Sequence, residues 1–308
     1  MKIREIGWFS FCLRVGVALA AACVCAGLLM AQSGGITAKD AKAKEALSSA
    51  IKALGGADKT GGIKSLVIKG TWAWLPQGRA LGMEIRILLP DSFVQIHQVD
   101  MGSPFYRGIS RGTLIPPPNT EISPYSLDGS LVPPEITEAF AKRLAIRIDY
   151  DTNAMADKWS RFLIGTLMKS DSTPITISSG SASGVFSLTK SNGAVGEIEF
   201  DPKTGYPVVI RYKNPVSAGG PGIVFNESSK TKPNGSAKTD ITSARPSENM
   251  DGGEIRFRDH FSINGIMFPK IITSTEISGG ITTTEELRIE EVLFNPELSL
   301  KDFEIPQR

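Results

Sequence analysis

Residues 254–275, EIRFRDHFSINGIMFPKIITST, and residues 282–293, TTTEELRIEEVL, carry the pattern that decides the fold. Ile255 and Phe257 alternate with Glu254, Arg256 and Arg258, while Leu287 and Ile289 alternate with Glu286, Arg288 and Glu290. Successive side chains of a strand point to opposite faces, so a period of two with one apolar face predicts antiparallel sheet over an apolar interior. Between the strands stands a turn, Asn264-Gly265, leading into Ile266-Met267-Phe268-Pro269. Asn295-Pro296 and Phe303-Glu304-Ile305-Pro306 follow.

Working outward, the same period recurs upstream. Leu66, Ile68, Trp72 and Trp74 share one face of a strand over residues 65–74, and Met83, Ile85, Ile87 and Leu89 share one face of the next. Leu89-Pro90-Asp91-Ser92-Phe93 turns into a third strand ending at Val99, and residues 106–114 form a fourth. Turns at this spacing predict consecutive antiparallel hairpins. A second set begins near Ile175 and covers residues 185–190, 195–201 and 207–213, with turns at Asn192-Gly193 and at Asp201-Pro202-Lys203-Thr204-Gly205. Residues 37–54 read as a helix, with Thr37 and Asp40 as its capping pair, Ala43, Leu47, Ala50, Ile51 and Leu54 on its apolar stripe and Gly55-Gly56 as its stop. Lys42, Lys44, Glu45 and Lys52 on its other face place this helix on a surface or across an opening. Between the two strand sets, after Pro116-Pro117-Pro118, two amphipathic helices are expected. The first spans residues 135–148, enters at Pro133-Pro134 and aligns Ile136, Phe140, Leu144 and Ile148. The second spans 154–168 and aligns Trp159, Phe162, Leu163, Thr166 and Leu167. From 214 to 251 the composition turns to Gly, Pro, Ser, Lys and Asn, which predicts a flexible loop with one short strand near 222–226.

Residues 1–31 read as an export signal, since Lys2, Arg4 and Arg14 precede an apolar run over 15–30 that ends in Met30-Ala31-Gln32. The run falls short of the ~20 residues needed to span a bilayer, so cleavage near Ala31 is expected, with no transmembrane segment in the mature chain. Leu19-Ala20-Ala21-Ala22-Cys23 offers the alternative of a lipid anchor at Cys23, with Ala20 where a large aliphatic residue normally stands. All three cysteines, Cys12, Cys23 and Cys25, lie in this leader, which leaves the mature chain without disulfide or thiolate ligand. The 34 basic and 32 acidic residues give a net charge of +2, all of it contributed by the leader, and this balance excludes an electrostatic footprint for nucleic acid. Residues 32–308 are expected to form a single domain, near the upper size of one core.

The order helix, strands, two helices, strands resembles the LolA/LolB-like envelope proteins. So do Leu89-Pro90-Asp91-x-Phe93, Phe200-Asp201-Pro202-x-Thr204-Gly205-Tyr206-Pro207, the hairpin from Gly265 to Pro269, and Asn295-Pro296 with Phe303 and Pro306. The resemblance implies an α+β fold, mainly antiparallel β. Its form would be a half-open β-barrel with an N-terminal helix and two inserted helices covering the concave face. Carriers of that family often place an arginine after the aromatic that opens the third strand, where it bonds the helical lid. Here Val94 takes that place.

Neither His97 nor His260 belongs to a metal-binding or catalytic pair, and no nucleophile elbow, P-loop or dinucleotide fingerprint appears. His97 reads as a half-buried strand residue and His260 as part of an alternating charged face. No enzyme activity, cofactor or metal is expected. Trp72 and Trp74 are too bulky to leave wet and belong either to a dry core or to the wall of a ligand cavity. With Ile85, Ile87, Phe140, Leu144 and Phe162 they are the candidate lining of a cavity. The expected function is that of a monomeric periplasmic or secreted binding protein that shields a lipid, a lipoprotein acyl chain or another apolar envelope ligand. The alternative, from a different class, is an interaction or sensor module on the same fold, engaging an envelope protein through residues 116–134 and 214–251.

Overall fold

The computed structural model describes residues 35–76, 78–99, 102–119, 134–191, 193–213, 252–278 and 281–306. The leader with Cys23, the turn residue Asn192, the helix-entry residue Pro133 and the 214–251 segment with its expected strand lie outside them.

Thirteen strands form one open sheet: β1 Ile36–Ala38, β2 Ser65–Leu75, β3 Leu81–Leu88, β4 Ser92–His97, β5 Phe105–Ser110, β6 Thr113–Ile115, β7 Ile175–Ser179, β8 Val185–Lys190, β9 Gly193–Phe200, β10 Pro207–Lys213, β11 Gly252–Ile263, β12 Ile266–Ser278 and β13 Ile281–Phe294. Their spatial order is β1-β7-β8-β9-β10-β11-β12-β13-β2-β3-β4-β5-β6. Two meanders, β2 to β6 and β7 to β13, join where β13 pairs antiparallel with β2, and every pairing is antiparallel except that of β1 with β7. β1 and β6 stand at the two ends of this order, so the sheet remains a half-barrel. Asn264 and Gly265, at φ of 54° and 75°, make the tight turn that their sequence predicts and bring Ile263 opposite Ile266.

The alternation seen in the sequence sorts the two faces. Ile255, Phe257, Leu287 and Ile289 are buried on the concave side. On the convex side Arg211 bonds Glu199 at 3.0 Å, and Arg258 and Arg288 both reach Glu286, at 3.3 and 2.6 Å. A smaller cluster of Val94, Ile96, Ile115 and Phe303 also lies on the convex side, where the 3-10 turn Leu300–Phe303 folds back over the sheet. Val94 therefore faces away from the helical cover, and no latch arises at that position.

Among the described residues three helices accompany the sheet: α1 Ala41–Ala53, α2 Ala57–Gly61 and α3 Pro134–Leu167. The expected start at Thr37 is corrected. Residues 36–38 are extended and pair with β7, and α1 begins after Asp40, whose carboxylate accepts the Ala43 amide at 2.9 Å. The same carboxylate accepts the Ser179 amide and hydroxyl, and these bonds hold its pKa at about 2.

The two expected covering helices are one. Residues 149–153, Asp-Tyr-Asp-Thr-Asn, are poor helix formers but include neither glycine nor proline, so nothing in them forces a break. The Thr152 hydroxyl donates back to the Ile148 carbonyl at 2.7 Å, and the helix runs on. Its first half is largely exposed, while every residue from Trp159 to Leu167 is buried. α3 is therefore a long lever with only its C-terminal end seated in the trough.

Candidate functional site

Register assembles the concave wall. Leu287 of β13 stands opposite Trp72 of β2 and Ile272 of β12, and the next inward positions bring Glu285 opposite Trp74 and Ser274. On the neighbouring strands Ile85 faces Gln95 and Met83 faces His97. The wall is apolar in its depth and acquires Gln95, His97, Ser274 and Glu285 toward one end.

Into this wall α3 lowers Trp159, Phe162 and Leu163. Trp159 stacks on Phe93 with centroids 5.4 Å apart and meets Phe162 edge-on at 5.6 Å. One turn further, Gly165 lies against the Phe257 ring so closely that a Cβ there would enter it. A cavity of about 60 Å³ remains between helix and sheet, walled by Trp72, Ile85, Trp159, Phe162, Ile255, Ile272 and Leu287, with Gln95, Lys158, Ser274 and Glu285 as its polar groups. That volume accommodates roughly two water molecules, against the ~300–1,000 Å³ of an ordinary ligand pocket. In this arrangement α3 fills the trough.

Of the expected lining residues, Trp72, Ile85 and Phe162 meet around the cavity. Ile87 is fully buried in the core beyond it. Trp74 is 55% exposed at the rim, its ring 4.5 Å from that of Trp72, and Phe140 is 40% exposed on the free half of α3, where Leu144 is half-buried. Sequence reasoning missed Lys158 and Glu285. Glu285 had a signal, because a period of two puts it on the face of Leu287 and Ile289, an acid on an apolar side. Lys158 had none, since its position depends on how α3 lies on the sheet.

Charged groups hold the seated end of α3. Lys190 of β8, almost wholly buried, donates to Asp157 of α3 at 3.1 Å and to Asp171 just beyond the helix at 3.0 Å, and the Ser160 hydroxyl also bonds Asp171. The Lys169 ammonium donates to the Gly61 and Ile63 carbonyls at 3.1 and 2.7 Å, tying the helix end to the loop before β2. Burial lowers its pKa. The Arg161 guanidinium lies 3.8 Å over the Tyr212 ring. Burial lowers the Arg161 pKa and raises that of Tyr212. Lys158 approaches Glu285 at 3.9 Å, beyond hydrogen-bond reach, and desolvation lowers its pKa while Glu285 opposes the shift.

His97 sits between Trp72, at 4.4 Å, and Phe105, at 5.8 Å. Burial lowers its pKa to about 4. His260 stacks on Tyr206 at 4.5 Å, next to Asp259, whose φ of 54° lies in the left-handed region. The alternation expected around His260 breaks there, and burial lowers its pKa too. Among the described residues no group of three His, Cys, Asp or Glu side chains is placed to hold a metal ion, and no helix is long and apolar enough to cross a membrane.

No family model and no curated protein matches the sequence. Among solved structures, the chain is similar to a LolA superfamily protein from Nitrosomonas europaea, with 10% identity, 85% of this chain and 97% of that one covered, and a TM-score of 0.43. It is also similar to an outer membrane lipoprotein-sorting protein domain from Vibrio parahaemolyticus, with 10% identity, the same 85% and 97% coverage and a TM-score of 0.38. A DUF1329 family protein from Desulfovibrio piger matches with 9% identity, the same coverage and a TM-score of 0.40.

Proposed function

We propose that the chain is an exported envelope protein that binds the acyl part of a lipid or lipoprotein in the trough now filled by the C-terminal half of α3. The observation that carries this reading is the kind of seal α3 makes. Its contacts with the wall are apolar, and Lys190 with Asp157 and Asp171 grips it from β8. Burying Trp159, Phe162, Leu163 and Leu167 contributes about 2 kcal/mol for each side chain, some 8 kcal/mol together. An acyl chain of about a dozen methylenes at ~0.8 kcal/mol each offers ~10 kcal/mol to the same wall. The gain from such a chain is of the order of what these four side chains give up. The long exposed first half of α3 gives the lever by which the seated half is lifted.

Delipidated mature protein titrated with a fluorescent fatty-acyl probe tests the proposal. Saturable one-to-one binding supports it, and absence of saturable binding removes it. The interaction-module reading has its own observation: a rim at one end of the trough exposes Trp74, Phe105 and Ile281, at 55%, 54% and 69%. If cross-linking through Trp74 and Phe105 recovers one envelope protein while no acyl probe binds, that second reading holds.

A further inference from the structure

We infer that the cavity between Trp72 and Trp159 is a subsite for the uncharged carbonyl end of an acyl ester. This deepens the acyl-binding reading and rests on it.

The walls of the cavity are hydrocarbon and aromatic, yet several residues that border it carry hydrogen-bond donors. Trp72 and Trp159, 7% and 2% exposed, both line it, and the indole Nε1 of each is buried with no hydrogen-bond partner among the described residues. An indole N–H donates and never accepts, so each requires an oxygen brought from elsewhere. Leaving such a donor unmet costs about 1–3 kcal/mol in a folded protein, and two of them on residues that border one small space are an expensive arrangement for a core that only packs. Lys158 adds ammonium protons that the 3.9 Å separation from Glu285 leaves without a direct acceptor in that carboxylate. Gln95 supplies an amide.

Charge decides which oxygen fits. Lys158 and Glu285 line the cavity together, so its formal charge sums to zero. A free carboxylate entering beside Glu285 meets a like charge in a partly buried site. An ester carbonyl brings no charge to set against Glu285 and can accept from the donors around it. The volume of about 60 Å³ matches the ester group and not its tail, which runs into the space α3 vacates.

The test displaces a fluorescent acyl probe from mature protein with methyl laurate, laurate and dodecane. Methyl laurate is expected to compete about tenfold better than either of the others. Trp72→Phe and Trp159→Phe keep an aromatic ring and remove the N–H groups, and each should bring the ratio of methyl laurate to dodecane affinity toward one, a ratio that cancels the space left by the smaller ring. Glu285→Gln leaves the cavity positive and should raise laurate affinity about tenfold, a gain that misfolding cannot mimic. Equal competition by all three molecules, unmoved by the tryptophan substitutions, overturns the subsite and leaves acyl binding standing. Laurate as the best competitor for the unaltered protein also overturns it, by assigning the site to a free acid. If the fluorescent probe never binds saturably, the acyl reading falls and the subsite with it.

Discussion

His97 is held as a neutral ring among Trp72 and Phe105, and this has a measurable consequence. Glu285 draws its pKa up and Lys158 and Arg107 push it down, but burial dominates and leaves it at about 4, against 6.5 for a free imidazole. The unfolded chain therefore binds a proton that the folded chain refuses between those values. His97 contributes full stability above about pH 6.5, and the contribution is lost as pH falls toward 4. Urea unfolding should show a loss of about 2 kcal/mol from pH 7 to pH 5 attributable to this residue, which His97→Phe abolishes. The smaller slope left behind belongs to His260, which is shifted in the same direction. An unchanged slope in His97→Phe contradicts the burial account. Lys190 tests a different balance: Lys190→Met strands Asp171, itself 7% exposed, and should cost about 3 kcal/mol in the same assay. A cost near zero would mean that the buried pair does not hold α3.

At the level of elements, α3 departs most from expectation. Two separate apolar stripes, over 135–148 and 154–168, read as two helices, but the weak helix propensities of Asp, Thr and Asn between them, a few tenths of a kcal/mol each, yield to the packing of the residues that follow. β1 was hidden for a related reason: three residues carry no period of their own, and only Ile175 of β7, far along the chain, selects their pairing. The strands were legible because alternation and the Asn-Gly turn are local signals. The bulge between Ile289 and Glu291 was not, since its glycine, Gly70, stands opposite on β2 and far away in the chain, and the left-handed Asp259 has no glycine to announce it. Among candidate site residues the same division holds. Trp72, Ile85 and Phe162 follow from stripes, whereas the meeting of Lys158 with Glu285 follows from the seating of α3. Gly165 measures that seating. Gly165→Ala improves helix propensity by about 1 kcal/mol, yet its methyl enters the Phe257 ring, so a net destabilisation of about 1–3 kcal/mol is expected by thermal unfolding. A stabilised variant would show that α3 has room above the sheet.

For the whole molecule, an open sheet of thirteen strands leaves its concave face in need of cover, and the chain supplies that cover from one end of a long helix. The first half of α3, residues 134–150, makes almost no buried contact, while residues 159–167 are enclosed. Opening the trough therefore breaks few contacts outside the seated end, and the sheet itself need not change. Amide hydrogen exchange along α3, with and without saturating methyl laurate, tests this account most directly. Slow exchange is expected at Trp159–Leu167 in the free protein, with a rise of at least tenfold when the ligand takes the trough and no change in β2 and β13. Methyl laurate bound at saturation with Trp159–Leu167 still protected would contradict it, because the ligand would then lie somewhere other than beneath the helix.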